Sequence, residues 1–279
     1  MSQRLKKVNE SGAYWELVHT LKSVTKKPLL NLYLDEDHLS DDERVRWERC
    51  IQTRVGGKPL AYITGEAPFL DFSLKVGPGT FIPRPETEVL VREAIKWCLF
   101  FSSGREPLKA LDLGSGSGNI AIGVSREIPF VSIDAVEHSS RAIRFLKQNI
   151  QTYHLQDRVH VFKMDYTQDA FRSLPGRYDL ILANPPYISA DDYKGLSPEV
   201  KREPVSALIG GHRGDEMIKW ILYNVGSLLR TGGVLICEVG QGQFQELIST
   251  VSRIKEFRFL EMLKDDQAIE RVMVVRKES

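Results

Sequence analysis

Apolar positions along this chain change their spacing twice, and each change marks a change of architecture. From residue 11 to about 57 they recur at helical spacing. Ser11 is placed to cap a segment carrying Tyr14, Leu17, Val18 and Leu21, a 3-4-3 pattern. Pro28 opens a second short piece, Leu29 to Leu34. Ser40-Asp41-Asp42-Glu43 is a capping-box pattern whose helix runs toward Val55 and stops at Gly56-Gly57. Together these segments predict a small helical bundle. Around residue 72 the spacing turns to alternation. Phe72, Leu74 and Val76 interleave with Ser73 and Lys75, the pattern of a half-buried strand. Gly77-Pro78-Gly79 reads as a turn, with Phe81-Ile82 returning as the second strand of a hairpin. A helix follows from Pro83-Arg84-Pro85-Glu86-Thr87-Glu88, with Pro85 in its first turn and Leu90, Val91, Ala94, Ile95 and Cys98 on its apolar face.

From Leu108 onward, short apolar runs alternate with amphipathic stretches, the signature of a mostly parallel sheet. Strands are predicted near 109–113, 131–136, 158–163, 179–183, 233–238, 256–261 and 270–276. Helices are predicted near 118–127, 139–152, 214–229 and 241–253. The polar stretch 262–269 is too short for a crossover helix, so the last two strands are expected to be antiparallel. Residues 188–213 show no period, which marks a candidate lid. The expected organisation is a helical bundle over 1–65, a β-hairpin linker over 66–84 and an α/β domain over 85–279.

Composition narrows the partners. The chain has 279 residues, 42% apolar and 27% charged, as in ordinary globular proteins. Its formal net charge of +1 argues against a large non-specific duplex-binding surface. Cys50, Cys98 and Cys237 are widely spaced and odd in number, so a reducing cytosol is the expected compartment. Met1 to Glu10 is polar and basic, unlike a secretory signal, and no run reaches membrane-spanning length. The six histidines lack metal-ligand spacing, so no metal site is expected.

The candidate chemistry lies in two stretches. Gly114-Ser115-Gly116-Ser117-Gly118 follows the first strand of the sheet and opens a helix. Glycines there let a ligand approach the backbone, and the helix start adds partial positive charge. Glu137 ends the next strand, about 20 positions on, where an acid accepts from ribose hydroxyls. A nucleoside site is implied, and the glycines alone fit a dinucleotide or S-adenosyl-L-methionine. Asp165 and Tyr166, after the third strand, are placed to flank an adenine. The second stretch is Asn184-Pro185-Pro186-Tyr187, after the buried run Leu180–Ala183. The Asn184 side-chain oxygen and the Pro185 carbonyl form a rigid pair of acceptors for a planar NH2 group, with the Tyr187 ring against its plane. An adenine, a cytosine or a carboxamide suits that clamp. A nitrogen held there gains positive charge as it attacks, and a sulfonium methyl is the matching electrophile, which favours the methyl donor.

The residues resemble the HemK/PrmC family of peptide chain release factor N5-glutamine methyltransferases. The likeness spans Leu60 to Glu66, Phe81 to Glu88, Asp112 to Gly118, Asn184 to Tyr187, Glu203-Pro204, Ala207-Leu208 and Glu238. It implies a Rossmann-like, seven-stranded S-adenosylmethionine-dependent methyltransferase fold with a small N-terminal helical domain that recognises the release factor. It implies methylation of the glutamine of the Gly-Gly-Gln motif in class-I release factors. Asn184, Pro185, Pro186 and Tyr187 would bind the glutamine amide. Gly114 to Gly118, Glu137, Asp165, Tyr166 and Asn184 would contact the donor, with Phe81, Arg84 and Thr87 walling its methionine side. The family often has Trp where Tyr166 stands, and relatives can carry Asp in place of Glu137. The chain is expected to be a cytoplasmic monomer with no membrane and no stable nucleic-acid partner. The competing readings are an adenine-N6 DNA or RNA methyltransferase and a non-catalytic S-adenosylmethionine-binding module.

Overall fold

The computed structural model describes residues 12–27, 39–102, 107–168, 171 and 173–278. The expected Ser11 cap, the piece from Leu29 to Leu34 and most of the loop before Pro107 lie outside the described residues. Among the described residues three helices come first: α1 (Ala13–Thr25), α2 (Asp41–Val55) and α3 (Leu60–Thr64). The capping box of α2 is formed. Ser40 Oγ accepts from Glu43 N at 3.3 Å and the Glu43 carboxylate accepts from Ser40 N at 3.0 Å. The α1–α2 contact departs from the apolar pattern. Ala13, Glu16, Thr20 and Val24 are buried, whereas Tyr14 is exposed. Arg54 explains the rotation: Nε and Nη2 donate to the two Glu16 oxygens at 2.7 and 2.8 Å, both side chains being buried. The Thr20 hydroxyl accepts from Trp47 Nε1 at 3.0 Å. Polar pairing therefore sets which face of α1 turns inward.

The hairpin also differs from expectation. Its strands are β1 (Glu66–Phe69) and β2 (Phe72–Lys75), paired antiparallel from Glu66↔Lys75 to Phe69↔Phe72. Pro68 hides β1, because a proline argues against a strand in sequence but is tolerated in an edge pair. Phe81-Ile82 forms no strand. The Ile82 N–H is taken by the buried carboxylate of Glu203 at 2.9 Å, which removes it from any ladder.

The helix α4 (Thr87–Ser102) leads into the sheet. In chain order come β3 (Leu108–Leu113), α5 (Asn119–Glu127), β4 (Val131–Glu137), α6 (Ser140–Thr152), β5 (Val159–Lys163) and β6 (Tyr178–Ala183). After them come β7 (Ile188–Ser189), α7 (Asp192–Gly195), β8 (Ile209–Gly211), α8 (Glu216–Asn224), β9 (Leu229–Glu238), α9 (Phe244–Arg253), β10 (Phe257–Lys264) and β11 (Glu270–Lys277). The seven-stranded sheet has the order β10-β11-β9-β6-β3-β4-β5. β11 runs antiparallel to both neighbours, and the pairs among β3, β4, β5, β6 and β9 are parallel. Every residue of β6 is buried, as a central strand covered on both faces requires. Leu180 and Leu182 face the layer formed by the hairpin, α4, α5 and α6; Ile181 and Ala183 face the layer of α8 and α9. α8 ends at Asn224, short of the expected 229, and β9 starts earlier than expected. Gly232-Gly233 sits inside β9 beside the irregular register between Tyr178 and Leu180.

Residues 188–213 are not structureless. β7 and β8 pair in parallel, and short 3-10 turns occupy Val200–Arg202 and Val205–Ala207. The segment is pinned by side chains: Glu199 to Arg54 at 2.9 Å, Arg202 Nη2 to Gly56 O at 2.7 Å, and Glu203 to Arg84. Anchors of this kind leave no period in sequence. Breaking a buried ion pair by removing one partner leaves the other charge under-compensated; without Glu16 the buried Arg54 keeps only the partly exposed Glu199 as a carboxylate partner. Glu16→Leu is expected to lower the unfolding free energy by about 3 kcal/mol, measured in urea, and Glu16→Leu with Arg54→Met by clearly less. Equal losses in the single and double variants would show that the pair does not set the α1–α2 contact.

Candidate active site

The carboxyl ends of β3, β4, β5 and β6 converge on a cavity of about 330 Å³. Gly114 to Ser117, Glu137, Tyr166, Asn184 to Tyr187, Phe81 and Arg84 all line it. Three expected site residues do not. Gly118 sits behind the loop with φ of +93°, and a Cβ there would meet Leu146 Cδ1 at 2.6 Å, so its task is the close approach of α5 to α6. The Asp165 carboxylate is committed to its own turn, accepting from Thr167 N at 2.9 Å, Thr167 Oγ1 at 2.6 Å and Gln168 Nε2 at 3.3 Å. It shapes the turn that presents Tyr166 rather than the cavity wall. Thr87 is fully buried behind Asn184.

The glycine-loop side is braced by backbone donors. Glu137 accepts from Gly116 N at 2.9 Å and from Ser139 N at 2.7 Å, one bond per carboxylate oxygen, and each oxygen keeps further acceptor capacity. Asn149 of α6 ties the loop to the hairpin. Its Nδ2 donates to Ser117 O at 2.9 Å and to Lys75 O at 3.0 Å, while its Oδ1 accepts from Lys75 N at 2.8 Å. The Ser117 hydroxyl is buried with no partner among the described residues. The Tyr166 ring packs 5.8 Å from Trp220, and burial pushes its phenol well above the ordinary value.

The other side is built around Asn184. Its Nδ2 donates to Thr87 Oγ1 at 2.9 Å, and its Oδ1 has no protein partner among the described residues. The Tyr187 hydroxyl donates to Glu238 Oε1 at 3.2 Å, and Gln243 Nε2 donates to the Tyr187 carbonyl at 3.0 Å. Gly210 lies against this turn so closely that a Cβ would stand 2.3 Å from the Pro186 carbonyl oxygen. Phe81 is stacked under the Arg84 guanidinium at 5.0 Å, and Arg84 is held by buried Glu203. Two carboxyls lie fully buried at the ends of β3 and β9: Asp112 and Glu238, each pushed up to about 7 by burial.

The sequence matches the PrmC N-terminal domain model over residues 1–65 and the methyltransferase small domain model over 101–197. It is 33% identical to a release factor glutamine methyltransferase of Gloeobacter violaceus, over 93% of this chain and 89% of that protein. The chain belongs to the release factor glutamine methyltransferase family. Other family members include that of Coxiella burnetii, 33% identical over 92% of this chain and 89% of the relative. That of Thermosynechococcus vestitus is 35% identical over 83% and 77%. Among solved structures, the fold resembles a ribosomal protein L11 methylase from Lactobacillus delbrueckii, with TM-score 0.51 and 16% identity over 74% of this chain and 86% of that one. It also resembles the hMettl16 catalytic domain in complex with a MAT2A 3'UTR hairpin, with TM-score 0.54 and 18% identity over 84% and 81%.

For this family member, the residues that sequence reasoning missed include His138, Ser139 and Ala142 beyond β4, and Leu196 and Val200 from the irregular segment. None carries a motif of its own; the sheet edge and the pinned segment bring them in. Both Asp112 and Glu238 have folded values above those of the unfolded chain. Their protonated forms therefore stabilise the fold, fully below the ordinary carboxylate range, and that stabilisation is lost as pH rises through about 7. Asp112→Asn is expected to raise the melting temperature more at about pH 8 than at about pH 5. A pH-independent difference from wild type would show that Asp112 does not titrate as its burial requires.

Proposed function

We propose that this chain transfers a methyl group from S-adenosyl-L-methionine to the side-chain amide nitrogen (N5) of the glutamine in the Gly-Gly-Gln motif of class-I peptide chain release factors, in translation termination. The observation that carries the reading is the Asn184 amide. Thr87 takes its Nδ2, so Oδ1 is left as an acceptor on a cavity wall. With the Pro185 carbonyl beside it, that oxygen suits the NH2 of a carboxamide, which offers two donors. A carboxamide nitrogen is a weak nucleophile because its lone pair is delocalised. Acceptors on its N–H groups orient it and strengthen as it gains positive charge, so they favour the transition state over the ground state. Tyr187, held by Glu238, packs its ring against the amide plane. The surplus proton on the nitrogen passes to water.

The residues around the glycine loop fit the methyl donor. Glu137 keeps acceptor capacity for ribose hydroxyls, the Ser117 hydroxyl is an unpartnered buried polar group, and Tyr166, Ile120 and Ala142 supply apolar wall. Phe81 and Arg84 wall the remaining side. When bound, the donor supplies an electrophilic methyl group on a positively charged sulfur. The chain's own contribution is positioning and electrostatics, with no covalent intermediate. Family membership supports the release factor as substrate, recognised by the N-terminal helices. The reading places the enzyme in the cytoplasm as a monomer. Among the described residues no helix is long and apolar enough to cross a membrane.

One assay tests the reading: labelled donor with a release factor, with its Gly-Gly-Ala variant, and with DNA. Label is expected on the first alone; label on DNA would replace this reading with the adenine-N6 one. Asn184→Ala is expected to lower kcat by about 10²–10³-fold, the scale of losing one preorganised polar group, with donor affinity weakened less. Turnover near wild type would remove the clamp from the mechanism.

A further inference from the structure

Residues 80–84 follow the hairpin, form neither strand nor helix, and put Phe81 and Arg84 on the cavity wall. An irregular stretch keeps one shape only where its backbone groups find partners. Here the partners come from two distant parts of the chain. The Tyr62 hydroxyl of α3 donates to the Thr80 carbonyl. Glu203, buried at the end of a 3-10 turn, accepts from Ile82 N at 2.9 Å through Oε2. Its other oxygen, Oε1, accepts from Arg84 Nη2. Both oxygens of one buried carboxylate are thus committed to this stretch. Glu203 also precedes Pro204, Ala207 and Leu208, which line the cavity, so it holds two walls together.

The charges around the cavity give that anchor a purpose. Of the described residues that line it, Arg84 is the only Lys or Arg and Glu137 the only acid. Glu203 takes one N–H of the Arg84 guanidinium, and Phe81 lies against its face at 5.0 Å. The other N–H groups have no protein partner among the described residues. A guanidinium carries five donors in a planar fork, and a fork of fixed plane meets a carboxylate with two parallel bonds. Glu203 and Phe81 fix the plane and leave part of the fork open.

We propose that Glu203 is the positioning residue for the carboxylate end of the methyl donor: it holds Arg84 with its unpartnered N–H groups open to the cavity, and these take the carboxylate of the donor's methionine part. The proposal rests on the reading that S-adenosyl-L-methionine occupies this cavity. Glu137 and Arg84 then meet chemically opposite parts of the donor, the ribose hydroxyls and the carboxylate. A glutamine at position 203 still accepts from Ile82 N through its oxygen, but it turns an NH2 toward Arg84. A donor then faces a donor, and the guanidinium loses its anchor.

The test measures binding by calorimetry for two ligands, S-adenosyl-L-methionine and its decarboxylated form, which keeps the sulfonium and the ammonium. Wild type, Glu203→Gln, Glu203→Asp and Arg84→Met are compared, with the melting temperature of each. Wild type is expected to bind the full donor more tightly. Glu203→Gln is expected to weaken the full donor about tenfold, the scale of one charge-assisted hydrogen bond, and to leave the decarboxylated form within about twofold. Arg84→Met is expected to show the same selective loss. Wild type binding both ligands equally, or Glu203→Gln weakening both alike or neither, overturns the proposal. A purely structural role for Glu203 lowers the melting temperature without this selectivity. If Glu203→Gln does not fold, Glu203→Asp, which withdraws the carboxylate by one methylene, and Arg84→Met decide: no selective loss in either overturns the proposal. Wild type that binds neither ligand sinks the donor reading instead, and shows before any variant is compared.

Discussion

A side-chain amide has two chemically opposite ends of nearly the same shape, and a site that uses one of them needs something to forbid the other. In this molecule the constraint comes from outside the cavity. Asn184 gives its NH2 to the Thr87 hydroxyl, fully buried behind it, and its oxygen is left for the cavity. The two groups sit on different elements: the turn after β6 and the first residue of α4. They meet because α4 starts over the carboxyl end of β6. The cavity's shape follows from the sheet, but the polarity of this wall follows from that hydrogen bond.

The opposite wall uses the same economy of means. Glu137 is anchored by two backbone N–H groups, and Asn149 binds glycine loop, hairpin and α6 into one unit. The glycine loop is thus braced by one side chain that lines the cavity, Glu137, and by one behind it, Asn149. The third wall comes from residues 196–208. Glu199 and Arg202 attach that segment to the end of α2, and Glu203 attaches it to Arg84 and Ile82. The helical part of the chain and the cavity wall are therefore mechanically joined. Glu16 of α1 and Glu199 of the wall segment share the Arg54 guanidinium.

Much of this was legible before the structure. The seven strands, the antiparallel tail, the capping box at Ser40 and the clustering of Gly114–Ser117, Glu137, Tyr166 and Asn184–Tyr187 follow from period and turn chemistry. Two of the misreadings, at Ile82 and Tyr14, share a cause: a polar partner far along the chain. β1 was hidden by Pro68, and Phe81-Ile82 was mistaken for its partner strand because its N–H is captured by Glu203 from far along the chain. Tyr14 looked like a core residue until Arg54 drew Glu16 inward. Asp165 looked like a ligand residue and instead holds its own turn.

By itself, the sequence determined the order of the strands and helices of the seven-stranded sheet domain, the glycine loop and the acceptor motif after β6, and membership of a methyltransferase family. Those features are local: a strand's alternation, a helix cap or a Pro-Pro turn acts over a few residues and so is written in neighbouring letters. Only the tertiary structure decided which way the Asn184 amide points, which face of α1 is buried and which residues wall the cavity from 188–213. Each of these depends on a polar side chain meeting a partner distant in the chain. Such a meeting has no period and becomes visible only when the sheet has brought the two ends together.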